Sequence, residues 1–260
     1  MSHTIYENYF LSNEVADQLK SHLDLQQFCT PDRSLVGTPG MIRKINVYSA
    51  TDGTEKLAMG EGNSKSIEVG YTQRDYTIEM AQNRFDYFDE QAMTDPMLVP
   101  VGMKHAGTDL YNTMNADVYG EFLKATLSVS ANTLDFAAFV DAVAKLNLEN
   151  LEGANLFGFV SPADVAKIRK ALKDDLKYVE AFAKNGYIGT VAGVSLFTKK
   201  DATEGTVVIA TREAVTIFYK EGVEVEQERE ANIRKNSVFS RQYYIVALTD
   251  ETKAVKIVVA

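Results

Sequence analysis

Hydrophobic and polar positions alternate most strictly near the C-terminus, over residues 222–230, where every second residue from 224 to 230 is a glutamate. A two-residue period is typical of a β-strand whose two faces meet different surroundings. One predicted face carries Val223, Val225, Gln227 and Arg229, and the other carries Glu224, Glu226, Glu228 and Glu230. Neighbouring carboxylates repel one another, so this face gains nothing from strand pairing alone. Two interpretations stay open: a face in water, or a face that meets basic groups of a neighbouring subunit.

The same period appears in two runs, residues 42–48 and 66–80, which flank a polar, glycine-rich segment. We predict a long β-hairpin over residues 41–82, whose tip cannot bury a core. A two-stranded hairpin is marginal alone in water, so it needs a partner surface. The predicted contact residues at the tip are Thr51, Asp52, Gly53, Thr54, Glu55, Lys56, Gly60, Glu61, Gly62 and Asn63.

A four-residue period marks the longest predicted helix, over about residues 101–126. Its apolar stripe consists of Leu110, Met114, Val118 and Phe122. The glycines Gly102, Gly107 and Gly120 weaken the helix, so we expect bends or close contacts instead of an ideal rod.

The first 40 residues have the pattern of an arm. A short amphipathic helix is predicted over 13–23, followed by an extended or irregular stretch over 26–40 that is rich in proline and glycine. Because the arm has one apolar stripe and no core of its own, we expect it to pack on something else.

Residues 131–210 are predicted to form a compact α/β unit. Asn132 or Thr133 is expected to cap a first helix, and Ser161-Pro-Ala-Asp has the residues of a second helix start. A short buried strand is predicted over 155–160, and residues 187–197 and 206–210 complete a small sheet. Residues 214–260 give three or four further strands, which we expect to return and pair near the long helix.

Composition excludes several classes of function. The chain has 260 residues, is 45% hydrophobic and carries a net charge of −9, so it lacks the Lys/Arg excess of a general nucleic-acid binder. The single cysteine, Cys29, cannot form a disulfide within the chain, which suits a reducing cytoplasm. No apolar run reaches the roughly 20 residues of a membrane span, and the N-terminus has no signal-peptide pattern. We therefore predict a soluble protein made in the cytoplasm.

No residue pattern in the chain predicts catalysis or a bound metal. The segment 60–66 resembles a phosphate-binding loop, but it lacks the required Gly-Lys spacing and a following helix. His3, His22 and His105 are scattered, and no zinc spacing or nucleophile elbow is present. We predict no catalytic residue, no metal and no cofactor.

In the order and spacing of these segments, the chain resembles the major capsid proteins of tailed bacteriophages with the HK97-type fold. The C-terminal quarter carries most of the resemblance, together with Arg84-Phe-Asp-Tyr-Phe-Asp before the long helix. The similar segments are 84–89, 186–197, 214–219, 223–229 and 243–256.

The resemblance implies an α+β fold and five segments. They are an N-terminal arm (1–40), an extended hairpin called the E-loop (41–82), a P-domain part with the long spine helix (83–130), an α/β A-domain (131–212) and P-domain return strands (213–260). It implies a structural protein that self-assembles into pentamers and hexamers of an icosahedral shell around double-stranded DNA. Residues Glu224, Glu226, Glu228, Arg229 and Glu230 become candidate charge contacts between subunits.

Implied partners are other copies of the chain and, where the virus has them, scaffolding, portal and decoration proteins. Packaged DNA would be held without sequence-specific binding, since a lumen without strong positive charge lets it slide. The implied location is the virion, after synthesis in the host cytoplasm.

Two family features differ or stay open. Some relatives carry a long N-terminal scaffolding segment, whereas this arm is short, so we expect a separate scaffolding protein or none. Some relatives crosslink a hairpin lysine to an asparagine; Lys56, Lys65 and Asn236 are present here, without evidence of the chemistry. The alternatives are a nanocompartment shell protein on the same fold and, from another class, a soluble α/β enzyme.

Overall fold

The computed structural model describes residues 24–149, 155–172 and 189–259. Within these ranges the chain forms twelve strands in three sheets, with four α-helices. The helix predicted over 13–23 lies outside the described residues. The mixed content confirms the predicted α+β class.

A four-stranded sheet contains the longest strands of the described ranges. Its members are β1 (Thr30–Asp32), β4 (Glu79–Phe88), β10 (Val215–Glu230) and β11 (Lys235–Leu248), in the order β1-β10-β11-β4. The long pair β10–β11 is antiparallel, and its register shifts between Tyr219 and Glu221 and again between Glu221 and Glu224. Each shift adds one unpaired residue to β10. After both shifts, side chains of β10 again lie on the same sheet face as their partners on β11.

Two helices follow β4: the short α1 (Asp89–Thr94) and the 26-residue α2 (Leu98–Leu123). The long helix α2 begins and ends three residues before the predicted range 101–126. Pro100 fits the first turn, where backbone N–H groups have no partner within the helix. The predicted stripe is confirmed, since Leu110, Met114, Val118 and Phe122 are all buried.

Gly102 allows α2 to approach β4 closely. A Cβ atom at Gly102 would lie 2.3 Å from the ring of Phe85, so no other residue fits without displacement. The close contact expected from the glycines is confirmed at this position.

The second half of the arm belongs to the core of its own chain. Leu25 and Cys29 are fully buried, and the ring of Phe28 packs between Phe157 and Phe197 at centroid distances of 4.8 and 4.7 Å. Residues 30–32 pair in parallel with residues 216–218 of β10. Apolar burial of this kind fixes the end of the arm beside α2.

The α/β unit is built on a six-stranded sheet. Its strands are β5 (Leu127–Ala131), β6 (Phe157–Val160), β7 (Thr190–Val191), β8 (Val194–Thr198), β9 (Thr206–Ala210) and β12 (Ala254–Val259), in the order β5-β12-β9-β6-β8-β7. The strand predicted over 155–160 is confirmed, because all four residues of β6 are buried.

Two helices, α3 (Phe136–Leu146) and α4 (Pro162–Ala171), belong to this unit. The predicted start of α4 is confirmed: the Ser161 hydroxyl accepts a hydrogen bond from the Asp164 N–H at 3.0 Å. The predicted cap of α3 is wrong, since Asp135 performs that role by accepting from the Ala138 N–H. Asp135 lies directly before the helix, where its carboxylate reaches the first turn.

The last strand differs from its expected place. We expected residues 213–260 to return to the sheet beside the long helix, but β12 pairs with β5 and β9 in the six-stranded sheet. Ala254, Val255 and Ile257 are fully buried, which suits a strand in the interior of a sheet covered by helices.

The predicted hairpin consists of β2 (Ile42–Ala50) and β3 (Val69–Thr77). Its pairing ends earlier than residue 82 because the chain continues directly into β4, which pairs with β11. At its base, Tyr76 stacks on Phe218 with ring centroids 5.6 Å apart, and Arg74 forms an ion pair with Glu251 at 2.9 Å. The hairpin is thus anchored at one end.

Candidate assembly surfaces

The loop of the hairpin, residues 51–68, has internal hydrogen bonds of its own. Glu55 accepts from the backbone N–H and the hydroxyl of Ser64 at 2.9 and 3.0 Å, and Asn63 donates to the Gly53 carbonyl at 3.0 Å. Gly53 is buried in the loop, where a Cβ atom would lie 2.7 Å from Ile67. These hydrogen bonds therefore give the predicted tip residues a defined loop conformation at the end of the two strands.

One face of the hairpin is apolar near the loop and is uncovered there by the described part of its own chain. Tyr48 and Tyr71 lie opposite each other with ring centroids 6.0 Å apart, and each is 66% exposed. Val69 and Ile67 are exposed nearby, and Met59 in the loop is fully exposed. An apolar surface of this kind on a projecting element is typical of a site of protein–protein contact.

The acidic strand is partly neutralised within the chain. Arg241 on β11 lies opposite Glu224 and donates to its carboxylate at 2.9 Å, and it also contacts Glu226 at 3.0 Å. The Glu224 hydrogen bond, with both carboxylates nearby, raises the pKa of Arg241 above its ordinary value. Sequence reasoning missed this cation, because finding it requires the register across both shifts of β10.

Arg229 lies on the other face from the glutamates and has an intramolecular role. Its guanidinium donates to Asp89 at 2.7 Å, and Asn236 donates to the second oxygen of the same carboxylate at 2.7 Å. Arg234 pairs with Glu90 at 2.7 Å beside it. These bonds attach α1 to the end of the β10–β11 pair.

Glu228 and Glu230 are the two predicted contacts left without an ion pair within 4 Å in the described part of the chain. Their neighbour Asp86 accepts from Arg84 at 2.6 Å and pairs with Lys235 at 3.0 Å. The Arg84 guanidinium, with Ser237 and Lys235, holds the pKa of the Asp86 carboxyl far below its ordinary value. The nearby cations Arg84 and Lys235 are thus already paired with Asp86, and both glutamates are exposed on the single subunit.

A groove runs between the end of α2 and strands β4 and β11. Its volume is about 580 Å³, and its lining residues include Glu79, Met80, Asp117, Gly120, Glu121 and Tyr244. The Tyr244 hydroxyl donates to Asp117 at 2.7 Å; burial and this carboxylate together raise the pKa of Tyr244 well above its ordinary value. No sequence pattern predicts this groove, since its residues come from three separate segments.

The predicted absence of a metal site concerns the titratable side chains of the described residues. No group of three or more His, Cys, Asp or Glu side chains among them could hold a metal ion. Cys29 is buried, and burial raises the pKa of its thiol to about 12, which leaves it protonated and unreactive at neutral pH. His105 is exposed on α2, whereas His3 and His22 lie outside the described residues. Among the helices that the structure describes, none is long and apolar enough to cross a membrane.

Comparison with known proteins places this architecture among viral capsids. The chain is 26% identical over 250 residues to the major capsid protein of Staphylococcus phage phiMR11, covering 92% of this chain and 88% of that protein. No family model matches the sequence.

Solved structures give the same result for the fold. The cyanophage P-SCSP1u capsid matches with a TM-score of 0.74 at 12% identity, covering 92% of this chain and 89% of that one. Mycobacterium phage Che8 matches with a TM-score of 0.71 at 14% identity, covering 91% and 90%. The virus-like particle from Pyrococcus furiosus matches with a TM-score of 0.62 at 13% identity, covering 96% and 98%.

The chain therefore has the HK97-type capsid fold. The resemblance found in the sequence is confirmed: the chain is similar in sequence to the major capsid protein of a Staphylococcus phage and similar in fold to phage capsid proteins. The nanocompartment alternative has no better support than the phage capsid.

Proposed function

We propose that this chain assembles as hexamers and pentamers into an icosahedral shell that encloses double-stranded phage DNA. The single observation that carries the proposal is the β2–β3 hairpin, which within the described residues is anchored only at its base and exposes Tyr48 and Tyr71. A hairpin of two nine-residue strands is only marginally stable through its own strand pairing, and the pairing leaves its apolar residues exposed to water. Contact with another copy supplies the missing burial.

The charge of the subunit supports a container for DNA. A net charge of −9 gives the copies no general attraction for phosphate, so DNA can move within the shell during packaging. The same charge makes the copies repel at long range, and local apolar and ionic contacts must overcome this repulsion. We accordingly expect the protein concentration needed for shell assembly to fall as salt screens the charges.

The five-segment division remains part of the proposal, with the C-terminal strand moved. The arm (1–40), the E-loop (41–82) and the segments that carry the spine helix (83–130) and the A-domain (131–212) keep their proposed roles. Residues 213–260 supply β10 and β11 to the P-domain, whereas β12 joins the A-domain sheet. Scaffolding, portal and decoration proteins are proposed partners, and the virion, assembled in the host cytoplasm, is the proposed location.

The proposal is tested on the purified chain and on particles from producing cells. Light scattering and electron microscopy are expected to reveal ring-shaped capsomers or closed shells far heavier than one subunit. A chain that stays monomeric at all concentrations and salt conditions would overturn the proposal. Nuclease-protected double-stranded DNA inside the particles distinguishes a viral shell from a nanocompartment, which would retain protein cargo instead.

A further inference from the structure

Strand β10 has a long edge that no other strand covers in the described structure. On one side β10 pairs with β11 from Val215 to Glu230, apart from the residues at its two register shifts. On the other side β1 pairs with residues 216–218 alone, and no backbone hydrogen bond joins residues 221–230 to a described segment other than β11. We call residues 221–230 the free edge of β10. Its unpaired backbone N–H and C=O groups form a template on which a further strand could pair.

The composition of β10 favours the addition of such a strand. Val223 and Val225 are 59% and 53% exposed, and all residues over 225–230 are exposed. The preceding residues 215–219 are Val, Thr, Ile, Phe and Tyr, which all have high β-propensity, and the strand contains no proline. A long exposed edge on a strand of this kind is prone to association between copies.

The glutamates of the free edge oppose that association. Directly opposite side chains of an antiparallel pair lie on the same face of the sheet. Two copies of the free edge, related by a two-fold axis perpendicular to the sheet, therefore bring their glutamates together on one face, where like charges repel. Because Glu224 and Glu226 are paired with Arg241, most of the uncompensated negative charge comes from Glu228 and Glu230.

A charged side chain also lies at the outer strand of the six-stranded sheet. Strand β5 is the outermost strand on one side of that sheet, and Lys145 of α3 donates to the Ser128 carbonyl of β5 at 2.7 Å. Lysine at an outer strand is a common means by which proteins discourage strand addition. Charge at the edge of a sheet is thus a feature of both larger sheets of this chain.

We propose that the glutamates of the free edge prevent two copies from pairing through β10, and so restrict the copies to other contacts. The excluded partner is a second copy of the same strand, in antiparallel register. This role does not depend on whether the same face also meets basic groups in an assembled shell. It goes beyond the proposed shell function, because it concerns a contact that the copies avoid.

The first test removes the repulsion and keeps the strand. Glu228→Thr with Glu230→Thr breaks no ion pair of the described subunit, and threonine favours strands. We expect the circular dichroism of a folded subunit, together with irregular, thioflavin-T-positive aggregates at a protein concentration roughly tenfold below that of wild type. Val223→Thr with Val225→Thr is the matched control, since it introduces the same residues into the same strand and keeps every glutamate. It should aggregate no more readily than wild type.

The second test uses hydrogen exchange to identify the surface through which the variant associates. In the wild-type subunit, the amides of residues 221–230 that point away from β11 are unpaired and should exchange rapidly. In the aggregates of the Glu228→Thr, Glu230→Thr variant their exchange should slow by about tenfold or more, because an added strand pairs them. Higher salt should lower the concentration at which wild type forms the same aggregates, since it screens the repulsion.

The outcomes judge this inference separately from the proposed function. If the Glu228→Thr, Glu230→Thr variant aggregates no more readily than wild type, the proposed role of the glutamates is wrong and the shell function stands. Equal aggregation of the valine control would assign the effect to the altered strand, and rapid exchange of residues 221–230 within the aggregates would assign it to another surface; either result overturns the inference. A wild-type chain that forms no shells would reject the shell function alone, because the comparison of aggregates does not require shells.

Discussion

Arg241 on β11 lies directly opposite Glu224 on β10, with its Nε atom 2.9 Å from the glutamate carboxylate. The same guanidinium reaches Glu226, two residues further along the strand, at 3.0 Å. A face that looks self-repelling in the sequence is therefore stabilised where the two strands meet. The remaining pair, Glu228 and Glu230, lies beyond the reach of this cation.

Replacing Arg241 is expected to destabilise the subunit, because Glu224 and Glu226 then repel each other without a cation between them. In Arg241→Met, Glu224 and Glu226 lose their shared partner, and the midpoint of urea unfolding is expected to fall modestly at low salt. Added salt screens the repulsion and should return the variant toward the wild-type midpoint. Lys44→Met, which breaks the exposed 3.7 Å pair with Asp75, is the control and should show little change. A deficit in Arg241→Met that does not depend on salt would point to lost packing instead.

Neutralising the other two glutamates addresses the open question about this face. Glu228→Gln with Glu230→Gln leaves all ion pairs of the described subunit intact, so its unfolding midpoint should stay unchanged. If the face meets basic groups of another copy, the assembly threshold and its salt dependence will both change, and we expect this result. Unchanged assembly at every salt concentration would establish a solvated face. Light scattering across a salt series measures both quantities.

Local signals predicted the elements that depend on local contacts. The start of α4 at Ser161, the strand β9 over residues 206–210 and the apolar stripe of α2 each follow from a few neighbouring residues. Long-range features could not be predicted in this way. The partner of Glu224 depends on two register shifts, and the place of β12 depends on strands more than forty residues away. The groove beside Gly120 needs three segments to be in place before it exists.

The contact between Gly102 and Phe85 predicts an effect opposite to ordinary helix propensity. Alanine at Gly102 would place its Cβ 2.3 Å from the ring, so helix and strand must separate, at a cost of about 1–3 kcal/mol in unfolding free energy. Gly107→Ala, where the space is open, should instead gain up to about 1 kcal/mol. Urea unfolding of both variants measures the difference. A second change, Phe85→Leu, should recover part of the lost unfolding free energy. A Gly102→Ala variant as stable as wild type would show that α2 and β4 can separate at little cost in free energy.

Asp164 is a buried carboxylate that connects α4 to the loop before β9. It accepts from the Ser161 hydroxyl and the Gly205 N–H, both at 2.8 Å, and from Lys167 at 3.0 Å. Burial opposes its ionised form, but these hydrogen bonds prevail and lower the pKa of Asp164. Asp164→Ala leaves the buried donors unpaired and is expected to cost roughly 1–3 kcal/mol.

The lowered pKa of Asp164 also fixes the direction of a pH effect. In the unfolded chain this carboxyl titrates near its ordinary pKa of about 3.9, so its contribution to stability is present above that value. The contribution is lost as the pH falls through the lower pKa of the folded state. The difference in unfolding free energy between wild type and Asp164→Asn should therefore shrink below about pH 4. A difference that grows on acidification would contradict the assignment.

Removing the tip of the hairpin separates folding from assembly. The hydrogen bonds of loop residues 51–64 stay within the hairpin, and the base is held independently by Tyr76 on Phe218 and by Arg74 on Glu251. Replacing residues 51–68 by a two-residue Asn-Gly turn, which joins the paired residues Ala50 and Val69, should thus leave a folded subunit with a wild-type circular dichroism spectrum and a nearly unchanged unfolding midpoint. Shell formation should be strongly weakened, because the loop and its contacts with a second copy are gone. A shortened chain that unfolds would show that the loop belongs to the core of the subunit; one that is folded and still forms shells at the wild-type concentration would show that assembly relies on other surfaces.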